Sequence, residues 1–291
     1  MFNLTIISLV VGLVALLIAS FCDIKTREVP DWLSYSLIIF AVGSALLLGV
    51  YHGYPHLIVN SLVGLVIGLV IALAMFYTGQ WGGGDSKLII GLSALIGFSI
   101  PELGTGVPLL VIFFVNILFV GAIYGLLFSL VKALTCFKKF RPAIEKSLRR
   151  KEVIIARIAL LVIGVVAFIF FLATQSMEAV LVFALAMALF VFFYLWAFVS
   201  VVEKTCMIKQ VKVKELTEGD WIINPIVKKK GKKERMVLKP TKTGVTLKQI
   251  ALLKKNNIRK VTIKVGVPFI PSFLVAYILT FVLGNWIMYF L

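Results

Sequence analysis

Eight stretches of the chain are apolar over lengths that suit a lipid bilayer, and this feature constrains the fold most strongly. They lie at about residues 4–22, 33–51, 57–78, 87–100, 107–134, 153–174, 178–202 and 268–290. A transmembrane helix needs roughly 20 consecutive, mainly apolar residues. The sequence therefore predicts an all-α polytopic membrane protein with about eight transmembrane helices. The stretch at 87–100 is short for a span, so a re-entrant segment is the alternative there.

The distribution of positive charge predicts how these helices are oriented. With the N-terminus outside, the inside segments are 23–32, 79–86, 135–152 and 203–267. All 30 Lys and Arg residues lie in these segments or in the flanking helix ends, and the outside loops contain none. The positive-inside rule therefore predicts that both termini are outside and that the fourth stretch crosses the membrane. The net charge of +17 is then explained by topology and by attraction to anionic lipids, without nucleic acid as a partner.

The segment 203–266 is the only sizeable polar part of the chain. It contains 18 Lys and Arg residues against five acids. Short strands are predicted at 221–223, 236–238 and 261–263 from their apolar and β-branched residues. The basic run at 228–233 is predicted to be an exposed loop.

A helix is predicted between the last two of these strands. Thr246 and Gln249 form a capping-box pattern, and Val245 and Ile250 are placed to form a hydrophobic staple around it. The helix is expected to end near residues 256–257. Together these elements predict a small cytoplasmic α+β insertion on the membrane face.

Two acidic residues occupy positions where a membrane protein rarely tolerates charge. Asp23 follows the first apolar stretch and Asp85 begins the fourth, so the topology places both at the inner membrane face. Two neighbouring carboxylates can share one proton, so that one activates water while the other polarises a carbonyl group. This is the chemistry of aspartic proteases. The helix ends favour Asp85 as the anion and Asp23 as the protonated partner, although such a pair titrates as a unit.

The glycine run before Asp85 has two interpretations. Residues 82–84 lack a Cβ atom, so another backbone can approach closely, and a peptide substrate could lie along them as an added strand. The alternative is a flexible turn before a helix, with Asp85 as its N-terminal cap.

Several blocks resemble one family of membrane proteases. Residues 82–85 show the G-x-G-D signature of intramembrane-type aspartyl proteases, which include the presenilins, the signal peptide peptidases and the type IV prepilin peptidases. Residues 23–33, DIKTREVPDWL, resemble the first block of the prepilin peptidases, and residues 82–88, GGGDSKL, resemble the second. Residues 267–274, VPFIPSFL, are similar to the start of the last helix of this family. The resemblance covers roughly residues 1–130 and 240–290 and is closest to the archaeal, preflagellin (archaellin) peptidase type.

The resemblance implies a membrane aspartic endopeptidase that acts at the cytoplasmic face. Its substrates would be prepilin or archaellin precursors, in which a short basic leader precedes a hydrophobic helix. The catalytic residues would be Asp23 and Asp85. Supporting or substrate-binding residues would be Gly82, Gly83, Gly84, Lys87, Pro30 and Asp31.

Neither a metal nor an organic cofactor is expected. Many bacterial relatives carry paired cysteines for zinc and also methylate the new N-terminus. Here the cysteines are Cys22, Cys136 and Cys206, without a C-x-x-C pair, so peptidase activity without methyl transfer is predicted. His52 and His56 have a spacing at which a metal site is conceivable, but with no third ligand nearby they are interpreted as interface residues.

Two other functions were weighed against this prediction. A presenilin-type protease would have a Tyr before the first Asp and a Pro-Ala-Leu motif, whereas Cys22 precedes Asp23 and that motif is absent. An ion- or proton-coupled transporter could bind ions at Asp23 and Asp85. Transporters place such acids near the midplane within internal repeats, whereas these acids lie at the membrane edge and no repeat is evident.

Five segments are predicted from these observations. They are the catalytic membrane helices at 1–134, a basic cytoplasmic loop at 135–152, an additional transmembrane helix pair at 153–202, a small basic cytoplasmic domain at 203–266 and the last transmembrane helix at 267–291.

Overall fold

Helices occur at all eight predicted apolar stretches in the computed structural model, which describes residues 2–99, 106–230, 233–241 and 244–284. The helices are α1 (Phe2–Thr26), α2 (Asp31–Tyr51), α3 (Pro55–Tyr77), α4 (Gly83–Ile96), α5 (Leu109–Thr135), α6 (Phe137–Leu148), α7 (Lys151–Thr174), α8 (Met177–Thr205), α9 (Leu247–Lys255) and α10 (Ile270–Leu283). The strands are β1 (Ile208–Lys212), β2 (Trp221–Ile222), β3 (Ile226–Lys230), β4 (Lys233–Leu238) and β5 (Lys260–Lys264).

Among the described helices, six are long and apolar enough to cross a membrane, namely α1, α2, α3, α5, α7 and α8. The helix α4 has 14 residues and so extends for about 21 Å, which is less than the roughly 30 Å of a bilayer core. The described part of α10 also has 14 residues, and residues 285–291 lie outside the described ranges. The protein is an all-α polytopic membrane protein with a small insertion that contains β-sheet.

The basic segment 135–152 is not the loop that its charge predicted, because most of it forms α6. Phe137, Phe140 and Ile144 recur at helical spacing between the basic residues, which is the pattern of an amphipathic helix. The ring of Phe140 packs against Phe198 of α8 with centroids 5.5 Å apart. The apolar face of α6 is difficult to recognise in the sequence, because it consists of only three residues among many lysines and arginines.

The basic run at 228–233 was predicted as a loop, but residues 228–230 and 233 lie in strands, and residues 231–232 lie outside the described ranges. Strand β3 pairs antiparallel with β4, and Lys228 lies opposite Arg235 in this register. Backbone groups hold such a ribbon together whatever side chains it carries, so a run of lysines does not exclude a strand. Strand β1 was missed for the same reason, since polar residues interrupt its apolar pattern.

The rest of the insertion confirms the predicted α+β character. Its three-stranded sheet has the order β1-β5-β2, with β2 antiparallel to β5. The Thr246 hydroxyl accepts the Gln249 N–H at 3.3 Å, and the Gln249 side chain accepts the Thr246 N–H at 3.0 Å, as the capping box requires. Val245 and Ile250 are both buried, in agreement with the predicted staple. A buried apolar cluster joins α9 to the sheet.

The chain divides into two compact units. The first contains Met1–Gly125 and Gln210–Leu291, and the second contains Leu126–Lys209. In the second unit α7 packs along α8, with the rings of Phe168 and Phe183 5.5 Å apart. The predicted segment boundaries therefore describe the order of helices along the chain but not these units.

Polar side chains tie the helices of the first unit together inside its apolar core. The Tyr277 hydroxyl of α10 donates to the Ser8 carbonyl of α1 at 2.6 Å, and both residues are buried. The Asn116 side chain of α5 donates to the Thr280 hydroxyl of α10 at 2.9 Å. Such bonds satisfy polar groups that lipid cannot hydrate, so they fix α10 against α1 and α5.

Small residues bring α3 and α4 into close contact. Gly64, Gly68 and Ala72 recur every four residues along one buried face of α3. A Cβ atom on Gly68 would lie only 2.5 Å from the Cβ atom of Ser93 in α4. This is the small-xxx-small packing that allows membrane helices to approach closely. It positions α4, whose first turn carries Asp85.

The substitution Gly68→Ala should therefore destabilise the first unit. The added methyl group must push α3 away from α4, and overpacking of this kind costs about 1–3 kcal/mol. The measurement is the midpoint of thermal unfolding in detergent, followed by circular dichroism.

The matched control for this test is Gly43→Ala in α2, because a Cβ atom there would have nothing within 4 Å. Gly43→Ala should leave the midpoint unchanged or raise it slightly. Equal effects of the two substitutions would show that close approach at Gly68 is not what holds α4.

Candidate active site

The Asp23 carboxylate is held by the beginning of the last helix. Asp23 lies in the final turn of α1 and is only 5% exposed. Its Oδ2 atom accepts the backbone N–H of Ile270, the first residue of α10, at 3.0 Å. The first N–H groups of a helix have no partner within the helix and attract negative charge. This contact therefore stabilises Asp23 as the anion.

Arg27 binds the other end of the short segment that leads into α10. It follows α1 with a φ of 64°, and its guanidinium group donates to the Gly266 carbonyl at 3.0 Å. Arg27 also lies within electrostatic range of Asp23. The last turn of α1 thus fixes both ends of the segment 266–270, which connects the small domain to α10.

Asp85 lies in the first turn of α4, outside the six long spans. Its Oδ2 atom accepts the Gly82 N–H at 3.1 Å. Burial of the side chain, followed by the nearby negative charge of Asp23, raises the pKa of Asp85 to about 7. The fold therefore brings together the two acids that the sequence singled out, although they come from different helices.

These contacts favour the opposite division of roles from the one expected. The sequence hypothesis made Asp85 the anion and Asp23 the protonated partner, because it considered only the helix that carries each residue. The N–H of Ile270 and the charge of Arg27 stabilise the ionised form of Asp23 against the cost of its burial. Burial favours the protonated form of Asp85. The capping interpretation of Asp85 holds in part, since its carboxylate bonds the N–H that precedes α4.

The glycine run allows the segment that follows Asp23 to pack against the segment that precedes Asp85. A Cβ atom on Gly84 would lie 3.0 Å from the Cβ atom and 3.2 Å from the backbone nitrogen of Val29. The space at Gly84 is therefore occupied by the chain itself rather than left for a substrate. A Cβ atom on Gly83 would meet only Phe76, at 3.8 Å. An added substrate strand remains a prediction for Gly82 and Gly83.

The other predicted supporting residues connect α2 to α4. The Lys87 ammonium group lies 2.7 Å from the Asp31 carboxylate and 5.5 Å from the centre of the Tyr35 ring. Pro30 precedes α2, and its carbonyl accepts the Leu33 N–H at 3.1 Å. These contacts support a structural role for Lys87, Asp31 and Pro30.

Aromatic packing fixes the turn before Asp85 against α10. The Trp81 ring is buried and lies 5.2 Å from the Phe273 ring, in an edge-to-face arrangement. Phe273 in turn packs edge-to-face with Phe269 at 5.5 Å. The turn that carries Asp85 and the helix end that holds Asp23 are therefore parts of one packed cluster.

Comparison with known proteins assigns this region to a family. Residues 10–126 match the type IV leader peptidase family, and this segment contains both Asp23 and Asp85. The match covers less than half of the chain.

Three curated relatives, all named preflagellin peptidase, are similar to part of this chain. The protein of Methanocaldococcus jannaschii is 39% identical over 97 residues, which are 31% of this chain and 38% of the relative. That of Methanococcus maripaludis is 35% identical over 103 residues, 34% of this chain and 44% of the relative. That of Methanococcus voltae is 32% identical over 104 residues, 35% of this chain and 44% of the relative. Each match thus spans less than half of the relative's length. No solved structure matches.

Two contacts around Asp23 were missed in the sequence. The N–H of Ile270 is a backbone group, so the type of residue at this position gives no indication of the contact. Arg27 looked like one more topogenic charge among the inside residues. The prolines at 268 and 271 were the available signal, because Pro271 lies in the first turn of the last helix.

A metal site does not emerge in residues 2–99, 106–230, 233–241 and 244–284, where no three His, Cys, Asp or Glu side chains converge on one point. His52 and His56 instead alternate with tyrosine. Tyr54 lies between them, 6.1 Å from the His52 ring and 5.4 Å from the His56 ring. This arrangement agrees with their interpretation as interface residues.

The substitution Gly84→Ala should lower the stability of the first unit and disturb the position of Asp85. The new methyl group must displace Val29, at a cost of about 1–3 kcal/mol for overpacking. The measurement is again the thermal midpoint in detergent.

Gly83→Ala is the matched control, since its methyl group would make an ordinary contact with Phe76. A Gly84→Ala midpoint equal to that of Gly83→Ala would contradict the proposed packing of Val29 on the glycine run.

Proposed function

We propose that the protein is a membrane aspartic endopeptidase that removes the basic leader from archaellin or type IV pilin precursors at the cytoplasmic membrane face. The observation that carries the proposal is the convergence of Asp23 and Asp85, from two different helices, within the segment that matches the type IV leader peptidase family. The three relatives are named preflagellin peptidase, which supports the same substrate class.

The mechanism follows from the different surroundings of the two carboxyl groups. Ionised Asp23 takes a proton from a water molecule, whose oxygen attacks the scissile carbonyl carbon. Protonated Asp85 donates a hydrogen bond to the carbonyl oxygen and stabilises the tetrahedral intermediate. The intermediate then collapses, the C–N bond breaks, and the proton held by Asp23 passes to the leaving amine. No metal, cofactor or methyl transfer is part of this proposal.

In the proposed orientation, the two carboxylates lie at the level where the precursor passes from its basic leader to its hydrophobic helix. The basic residues of the chain are concentrated on the side assigned to the cytoplasm, with both termini outside. The leader of the precursor would remain in the cytoplasm while its hydrophobic helix enters the bilayer. The scissile bond then lies at the inner face, beside Asp23 and Asp85. The basic segments would also bind anionic lipid headgroups.

The substitutions Asp23→Asn and Asp85→Asn should each abolish cleavage. Removing a general acid or base typically lowers the rate by about 10²–10⁴-fold. The measurement is the size shift of a co-expressed archaellin precursor in membranes, with the level of the peptidase determined in the same samples.

The matched control is Asp220→Asn in the small domain, where the carboxylate accepts the Thr217 N–H at an exposed turn. It should cleave normally. Full activity of either dyad variant would remove that residue from the mechanism. Ion flux that depends on both acids, without cleavage of any precursor, would favour the transporter alternative.

Cleavage should also fall as the pH rises above about 7. The proposed mechanism requires Asp85 to be protonated, and its pKa lies at about 7. Above that value the proton is lost, so the rate should decrease by about tenfold per pH unit. The measurement is the initial cleavage rate between about pH 5 and 9, with intactness of the fold checked at each pH. A rate that is constant up to pH 9 would contradict the assignment of Asp85 as the acid.

A further inference from the structure

A cavity lies beside the two carboxylates, in the same compact unit. Its volume is about 160 Å³. It is lined by Met75, Gln80, Trp81, Ile117, Leu118 and Phe269. The mechanism proposed above assigns no role to this space.

Two residues that line the cavity each precede a residue whose backbone N–H binds one of the carboxylates. Trp81 precedes Gly82, whose N–H bonds Asp85. Phe269 precedes Ile270, whose N–H bonds Asp23. The cavity therefore adjoins the two backbone segments that bind the acids, so a peptide bound at both acids would lie near it.

The lining residues from α5 indicate the direction in which the cavity extends from the two carboxylates. Ile117 and Leu118 belong to α5, and Tyr124 of the same helix lies within electrostatic range of Asp23. Seven residues of helix separate Ile117 from Tyr124, which corresponds to about 10 Å. In the proposed orientation α5 runs inward, so the cavity extends from the dyad towards the bilayer interior.

The chemistry of the lining suits a single apolar side chain. Five of the six lining residues are apolar, and the sixth, Gln80, is exposed. A cavity of about 150 Å³ lined by aliphatic and aromatic residues is known to hold one benzene ring. A charged side chain would lose its hydration without gaining a partner. The cavity therefore matches an aromatic ring or a large aliphatic side chain.

We propose that this cavity is the substrate pocket for the first side chain on the carboxyl side of the scissile bond. This inference rests on the proposed function, in which a basic leader precedes the bond and a hydrophobic helix follows it. The leader faces the cytoplasm, whereas the residue after the bond faces the bilayer side of the dyad, where the cavity lies. Met75 and Leu118, on two different helices, then limit the size of the side chain that is accepted.

The test combines a pocket variant with two precursors. The precursors differ only in the residue after the scissile bond, which is Phe in one and Ala in the other. Leu118→Phe reduces the cavity, so it should slow cleavage of the Phe precursor by an order of magnitude, the size typical of steric discrimination in an apolar pocket. Cleavage of the Ala precursor should be unchanged.

The matched control is Leu127→Phe, on the same helix and comparably exposed but outside the cavity lining. It should leave both rates unchanged. Met75→Phe reduces the cavity from α3 and should repeat the selective loss, so the test does not depend on one variant accumulating in the membrane.

Each outcome decides a separate point. An equal loss on both precursors, or an unchanged ratio in both pocket variants, would overturn the pocket while leaving the peptidase function intact. Failure of the wild-type protein to cleave either precursor would overturn the proposed function and the pocket together. A selective loss on the Phe precursor supports both.

Discussion

The hydrogen bond from the Ile270 N–H to the Asp23 carboxylate connects residues that are 247 positions apart, and the arrangement of the site depends on it. It joins the end of the first helix to the start of the last. Arg27 reinforces the joint by binding Gly266 at the other end of the same short loop. A buried carboxylate needs such partners, because lipid and packed side chains cannot replace its hydration. The position of Asp23 therefore depends on how α10 enters the membrane.

The turn before Asp85 packs against the same region, where the end of α1 meets the start of α10. Gly84 lets Val29 approach, so the chain that follows Asp23 packs directly against the chain that precedes and includes Asp85. Trp81 packs on Phe273 and so attaches this turn to α10. The close contact of Gly68 with Ser93 then holds α4 in place from the other side. Three helix ends meet in this way, and the two proposed catalytic carboxyl groups acquire different surroundings although they are chemically identical.

The errors of sequence interpretation have specific physical causes. The predicted division of roles between Asp23 and Asp85 rests on the dipoles of their own helices, whereas the contact with the start of α10 and the burial of Asp85 act in the opposite direction. Basic runs were interpreted as loops. In α6 a narrow apolar stripe is enough to form a helix, and in the ribbon of β3 and β4 backbone pairing is enough to form strands. High charge indicates exposure, but it does not by itself indicate an absence of secondary structure.

The sequence alone determined the membrane class, the positions of the eight apolar helices, the α+β character of the insertion and the two acids that the fold brings together. Each of these follows from local patterns, since apolar length, capping pairs and isolated charges are properties of neighbouring residues. Only the tertiary structure decided that a backbone N–H of α10 binds Asp23, that Val29 fills the space at Gly84, and that a cavity opens between Trp81 and Phe269. These features arise from contacts between residues far apart in the chain, and backbone groups and empty space have no signature in the order of amino acids.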